Sequence, residues 1–257
     1  MSFEIQEEGR FSFVEKGEGP VLLLLHGLFG ALSNWAPVLD FFSSDYKVVI
    51  PLLPVYNMPL RKTSVGGLSD YVHAFVEARG YEQFTLLGNS LGGHVALVYV
   101  LEHQERVRSV VLTGSSGLYE NSMGGTVPKR GDYQYIKQKV EYTFYSPQTA
   151  TKELVDEVYE IVNDRSKAFR IITMAKSAIR HNLRKEIAHI QAPVCLIWGK
   201  DDKITPPEAA LEFHERLPKS EIHWIDACGH APMMEQPAAF NQELAAFLSR
   251  VYQYESR

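Results

Sequence analysis

Cysteine is scarce in this 257-residue chain. Cys195 and Cys228 are the two present, and they lack the short spacing of a metal motif. They read as small apolar fillers in a reducing cytoplasm rather than as a disulfide. Long hydrophobic runs are also missing. The apolar stretch nearest the N-terminus, PVLLLLH, is far too short to span a bilayer. The opening MSFEIQEEGR has neither the basic start nor the apolar core of a signal peptide. Positive charge is not in excess either: 26 basic and 31 acidic residues are well mixed, for a formal net charge of −5. No basic stripe interleaved with aromatics stands out. These absences argue for a cytoplasmic location and against nucleic-acid and membrane partners. A homo-oligomer is left open.

What the chain does have is apolar residues, 45% of the total, enough for a large core. SFEIQEEG and RFSFVEKGEG partly alternate about Gly9 and read as an amphipathic hairpin. The pattern then changes to near-continuous apolar runs. These are PVLLLLHG (20–27), YKVVIPLL (46–53), QFTLLGNS (83–90), RVRSVVLTG (106–114) and APVCLIWG (192–199). Such runs suit strands buried on both faces, which belong to a parallel sheet. Helical stretches at 64–80 and 92–105 lie between some of them. This alternation predicts an α/β fold with helices on both faces of the sheet.

The stretch from Gly114 to Ala192 holds no further strand of this type and is too long for a simple crossover. Its middle is helical in pattern. Residues 117–188 therefore read as a helical insertion, a cap, between core segments 1–116 and 189–257. Afterwards a strand near 221–226 and a last helix near 237–252 complete the sheet layer.

Gly88-Asn89-Ser90-Leu91-Gly92 fits G-x-S-x-G, between a buried strand and a helix. Glycine at both flanks removes side chains that would collide where strand and helix backbones nearly touch. Ser90 is then either a nucleophile exposed at the sheet's carboxyl edge or an ordinary turn serine or helix N-cap. A serine nucleophile needs a base, and the base needs an orienting acid. GKDDKITPP supplies Asp201 or Asp202 just after a buried strand, and DACGHAPMMEQP supplies His230 after the last one. Parallel strands end on one side, so both fall at the edge that carries Ser90. The other histidines read as surface or satisfied residues, and His94 points around its helix away from Ser90. No metal site and no cofactor are expected.

The chain resembles the α/β-hydrolase superfamily over essentially its whole length. The resemblance rests on His26-Gly27-Leu28-Phe29-Gly30, on Gly88 to Gly92, on Gly199 to Asp202 with Pro206, and on Gly229-His230. It implies the α/β-hydrolase fold, with a mostly parallel central sheet and a helical cap after the sixth strand. It also implies Asp202, not Asp201, as the acid, and His26 as a structural residue. The backbone N–H groups of Leu28 and Leu91 would form the oxyanion hole, with Phe29 the second choice for the first donor.

GNSLGG, the cap and the tail look closest to the meta-cleavage-product hydrolases, which hydrolyse a carbon–carbon bond in ring-cleavage dienoates. Three departures bear on that. Ala231 follows the catalytic histidine where those enzymes usually have tryptophan. Val158 falls where they usually have a carboxylate-binding arginine, although Arg165, Arg170 and Arg180 are nearby in sequence. The loop VVIPLLPVYNMPL is bulkier and more apolar than usual. Phe29, Tyr56 and Met58 are the expected pocket residues. The resulting expectation is a serine hydrolase of a small to medium ester, by way of an acyl-enzyme. Carbon–carbon bond hydrolysis of a dienoate is the alternative within enzymes. A ligand-binding, receptor-like protein with little turnover is the alternative of another class. The elbow serine argues against halide and epoxide hydrolysis, which use aspartate there.

Overall fold

The computed structural model describes residues 4–30, 35–119 and 129–253. Its strands are β1 (Gln6–Glu8), β2 (Phe11–Lys16), β3 (Val21–Leu25), β4 (Lys47–Pro51), β5 (Phe84–Asn89), β6 (Val107–Thr113), β7 (Val194–Gly199) and β8 (Ser220–Ile225). They form one sheet in the order β1-β2-β4-β3-β5-β6-β7-β8. The hairpin β1–β2 and the β2–β4 pair are antiparallel. The remaining pairs are parallel.

The apolar runs are explained by what covers the sheet. Successive residues of a strand point to opposite faces. Leu22 and Leu24 join Val48, Ile50, Leu87, Val111 and Ile197 on one face, under α1 (Ala36–Phe42) and α9 (Pro237–Gln253). Leu23 and Leu25 join Val49, Leu86, Val110, Leu112 and Trp198 on the other. That face lies under α2 (Val65–Arg79), α3 (Leu91–Glu102) and α7 (Pro207–Arg216). With both faces covered, the central strands are largely apolar; the buried Thr85 and Ser109 are exceptions, and their hydroxyls satisfy each other at 2.9 Å. α3 is the extreme case: Leu91 to Val100 are all buried, and apart from His94 the run is apolar or small.

Among the described residues, three α-helices lie between β6 and β7: α4 (Tyr133–Tyr142), α5 (Lys152–Asn163) and α6 (Arg165–Arg180). Each starts on a side-chain cap, from Asp132, Thr151 and Asp164 respectively. Part of the stretch read as an insertion, residues 120–128, lies outside the described residues. A short helix, α8 (Pro232–Glu235), precedes α9. Among the described residues no helix is long and apolar enough to cross a membrane.

The chain leaves β3 toward β4 on one side and later enters β5 on the other. This reversal opens a crevice at the carboxyl ends of β3 and β5, where α/β sheets bind ligands. The turns after β6, β7 and β8 reach the same edge.

Close approach of those turns sets a stability requirement. A Cβ on Gly199 would sit 2.1 Å from Gly229 O and 2.4 Å from Cys228 O, both backbone atoms that cannot swing aside. Gly199→Ala is expected to cost about 2 kcal/mol or more, lowering Tm by about 5 °C or more. Gly66→Ala is the control: nothing lies within 4 Å of the added carbon in α2. It should stabilise by a few tenths to about 1 kcal/mol. Thermal unfolding followed by circular dichroism measures both.

Candidate active site

Ser90 occupies the sharp turn between β5 and α3 with φ 55° and ψ −120°. That is a left-handed conformation, worth roughly 1–3 kcal/mol of strain for a residue with a side chain. Neighbouring hydrogen bonds hold it there. Ser90 N donates to Thr113 O at 3.1 Å, and Ser90 O accepts from Ser116 N at 3.1 Å and Gly93 N at 3.0 Å. A Cβ on Gly92 would meet Leu25 O at 2.2 Å, and one on Gly88 would meet Gly93 Cα at 2.5 Å. The glycines therefore permit the contact of β3, β5 and α3. Ser90 stands at the N-cap position of α3 yet makes no side-chain capping bond. Ser90 lines a cavity instead.

His230 reaches the same cavity from the turn after β8. Its Nδ1 lies 2.9 Å from Asp202 Oδ2. Asp202 is buried whereas Asp201 is exposed. The Asp202 carboxyl accepts from Ile204 N at 2.8 Å, Thr205 N at 2.9 Å and Thr205 Oγ1 at 2.9 Å. With Nδ1 committed to this carboxyl, Nε2 is the ring nitrogen left to take a proton. The His230 backbone is fixed as well: its N–H donates to Thr143 O at 3.0 Å, and its carbonyl accepts from Asn89 Nδ2 at 3.1 Å.

His26 does not compete for the role of base. Leu53 N–H donates to its Nε2 at 3.0 Å, so Nδ1 carries the proton that binds Gly27 O at 2.8 Å. Full burial holds its pKa below the ordinary imidazole value, outweighing the bond to Gly27. That Gly27 carbonyl also accepts from Gly30 N at 3.2 Å. In a planar trans peptide the N–H points opposite to the C=O, so the direction of Leu28 N–H is set by these two bonds. Leu91 is the first residue of α3, and its N–H has no acceptor within the helix.

The cavity measures about 230 Å³. Phe29 lines it, with Ile136 and Val140 of α4, Val158 of α5, and Met174 and Ala178 of α6. Tyr56 and Met58 are absent from its wall, unlike the expectation for them. The Tyr56 hydroxyl donates to Leu28 O at 2.5 Å, bracing the loop after β3 from behind. Burial, with the Glu157 carboxylate nearby, pushes the Tyr56 phenol pKa up, so it stays a donor. Met58 is packed in the core beside Gly67.

Other side chains here carry no sequence motif. Lys139 of α4 is the one charged side chain among the described lining residues, beside the Tyr135 ring. None of Arg165, Arg170 and Arg180 reaches the wall; the Arg170 guanidinium is held by Met58 O at 2.8 Å. His94 is fully buried, 3.4 Å from Ser116 Oγ and 3.3 Å from His181. Burial and the neighbouring His181 push its pKa down to about 3, so it stays neutral. Sequence spacing also missed one juxtaposition across strands. Among the described residues Cys195, Glu221 and His223 bring potential ligand atoms within 4.8 Å of one another. None of the three lines the cavity, and His223 is already bonded to Glu221 and Glu243.

Comparison with known proteins fits this geometry. The family model for the alpha/beta hydrolase fold matches residues 20–237. MGS-MChE2, a solved alpha/beta hydrolase enzyme from a lagoon-sediment metagenome, is 45% identical, with a TM-score of 0.80 over 96% of this chain and 98% of that one. A 2-hydroxy-6-oxononadienedioate/2-hydroxy-6-oxononatrienedioate hydrolase of Comamonas testosteroni is 26% identical, over 95% of this chain and 94% of its own length. Monoacylglycerol lipase ABHD6 of Bos taurus is 26% identical, over 92% of this chain and 77% of its own length. The chain belongs to the alpha/beta hydrolase fold family and is a hydrolase.

Proposed function

We propose that the protein hydrolyses small to medium esters with apolar groups, using Ser90 as nucleophile, His230 as base and Asp202 as orienting acid. The observation that carries this reading is the convergence of a strained, uncapped serine and an Asp-bound histidine on one mostly apolar cavity. His230 Nε2 takes the Ser90 proton as Oγ attacks the ester carbonyl. Asp202 holds the tautomer and stabilises the imidazolium. The Leu28 and Leu91 amides stabilise the oxyanion, each worth about 3 kcal/mol in the transition state. The intermediate collapses, His230 protonates the departing alcohol, and a water activated by His230 releases the acid. Helices α4–α6, in a cap spanning residues 117–188, select the substrate through the residues they lend to the cavity.

A second reading is carbon–carbon bond hydrolysis of a meta-cleavage dienoate. Lys139 favours it, because a basic group on the roof could receive the dienoate carboxylate. The name of the Comamonas testosteroni relative leans the same way. Against it stand the apolar Val158 and the absence of an arginine among the described lining residues.

Two outcomes are expected. A fluorophosphonate probe should label wild-type protein and leave Ser90→Ala unlabelled. Ester turnover should fall by about 10⁴-fold in Asp202→Asn and stay near wild type in Asp201→Asn; the reverse pattern would move the acid. A panel of p-nitrophenyl esters of increasing chain length, run beside one dienoate, separates the two substrate classes. Neutral esters should turn over in both wild type and Lys139→Gln. Turnover of the dienoate alone, with KM raised about tenfold or more by Lys139→Gln, would overturn the ester reading.

A further inference from the structure

Helix α6 is apolar on two sides. The inner side, Ile171, Met174 and Ala178, is buried, and the last two line the cavity. The outer side is in water: Phe169 is 56% exposed, Ile172 39% and Ile179 48%. At 3.6 residues per turn, Arg165, Phe169, Ile172, Lys176 and Ile179 fall on one narrow stripe that mixes two cations with three apolar side chains. The helix holds five basic residues and no acidic one, although the chain carries a net charge of −5. Among the described residues, Arg165, Lys176 and Arg180 are exposed and engaged in no ion pair.

The patch continues onto a neighbouring turn. Arg170 Nε donates to Met58 O at 2.8 Å, and Val65 N donates to Ser177 Oγ at 3.1 Å. The segment between these ties therefore runs alongside α6. It adds Leu60, 48% exposed, and the exposed cations Arg61 and Lys62.

A lone exposed apolar side chain is ordinary. Three on one stripe, beside a fourth and among unpaired cations, form a surface with two demands. Its apolar side chains gain by leaving water, and its cations lack anions. A lipid surface with anionic headgroups meets both demands without requiring a matching shape, and helices that lie in that interface have this composition.

We propose that the outer face of α6, with residues 60–62, docks on an anionic lipid surface. The helix lies in the interface plane, with Phe169, Ile172, Ile179 and Leu60 at the acyl boundary and the cations among the headgroups. The helix that lends Met174 and Ala178 to the cavity then rests on the lipid by its opposite face. This binding stands apart from the catalytic reading and has its own readout. It revises the expectation of no membrane partner, which rested on the length of apolar runs and so addressed spanning alone.

The test is co-sedimentation of the full chain with vesicles, over a range of salt concentrations. One set contains equal parts phosphatidylglycerol and phosphatidylcholine, the other phosphatidylcholine alone. Binding should be at least about tenfold tighter to the anionic set and weaken with salt. Phe169→Ser with Ile172→Ser, and separately Arg165→Gln with Lys176→Gln and Arg180→Gln, should each lower it by about tenfold or more. Both variants should keep the wild-type Tm and rate on a water-soluble ester. No binding, equal binding to both vesicle types, or full binding by the variants would overturn the proposal. So would a dimer in solution that the same substitutions dissolve, since that face would then serve a second copy.

Discussion

The contact between His230 Nδ1 and Asp202 Oδ2 is the constraint around which the carboxyl edge of the sheet is arranged. A buried carboxyl is tolerated only when its oxygens are satisfied. Here the turn after β7 does that with two amides and the Thr205 hydroxyl. Thr205 is itself held, because its carbonyl accepts from Trp198 Nε1 at 2.8 Å in the core. The histidine turn is bound just as closely. Glu235 accepts from Gly229 N at 2.9 Å and from Tyr145 N at 2.7 Å, and Thr143 O accepts from His230 N. The end of α4 is thereby fastened to the turn that carries His230. The cavity wall contributed by α4 and the turn that carries His230 share one hydrogen-bonded joint.

The elbow is the complementary half. Its strain is local, but what maintains it is spread over β3, β5, β6 and α3. Asn89 illustrates the economy of the arrangement: one side-chain amide donates to both Thr113 O and His230 O, joining the elbow to the histidine turn. The loop after β3 is fixed in the same manner, by His26 on one side and Tyr56 on the other. Such support lets a polar site sit at the end of a strand layer whose interior is largely apolar.

Much of this was legible in the sequence because it depends on period and order along the chain. Runs such as VLLLL and VCLIWG declare strands covered on both faces, and glycines flanking Ser90 declare a backbone contact. The order of Ser90, Asp202 and His230 follows strand ends, which parallel pairing brings to one edge. Contacts between segments distant in sequence were not legible. Tyr56 reads as a pocket residue because it is bulky and beside the site, yet its hydroxyl is drawn to a carbonyl behind the loop. Lys139 sits in an unremarkable amphipathic helix, and only packing decides that it faces the cavity. The outer stripe of α6 was hidden for the opposite reason. Two sets of apolar residues on this helix both follow helical spacing, and spacing alone does not say that Ile171, Met174 and Ala178 are the buried set.

The arrangement holds together only if His230 carries its proton on Nδ1, hydrogen-bonded to Asp202. Proton NMR of the resting protein in cold water observes that proton directly. The expected result is a resonance far downfield of the amide region. It should be lost in His230→Gln and in Asp202→Asn, and kept in Asp201→Asn. A spectrum with no such resonance, or one in which it survives the loss of Asp202, would contradict the assignment of base and acid on which the rest depends.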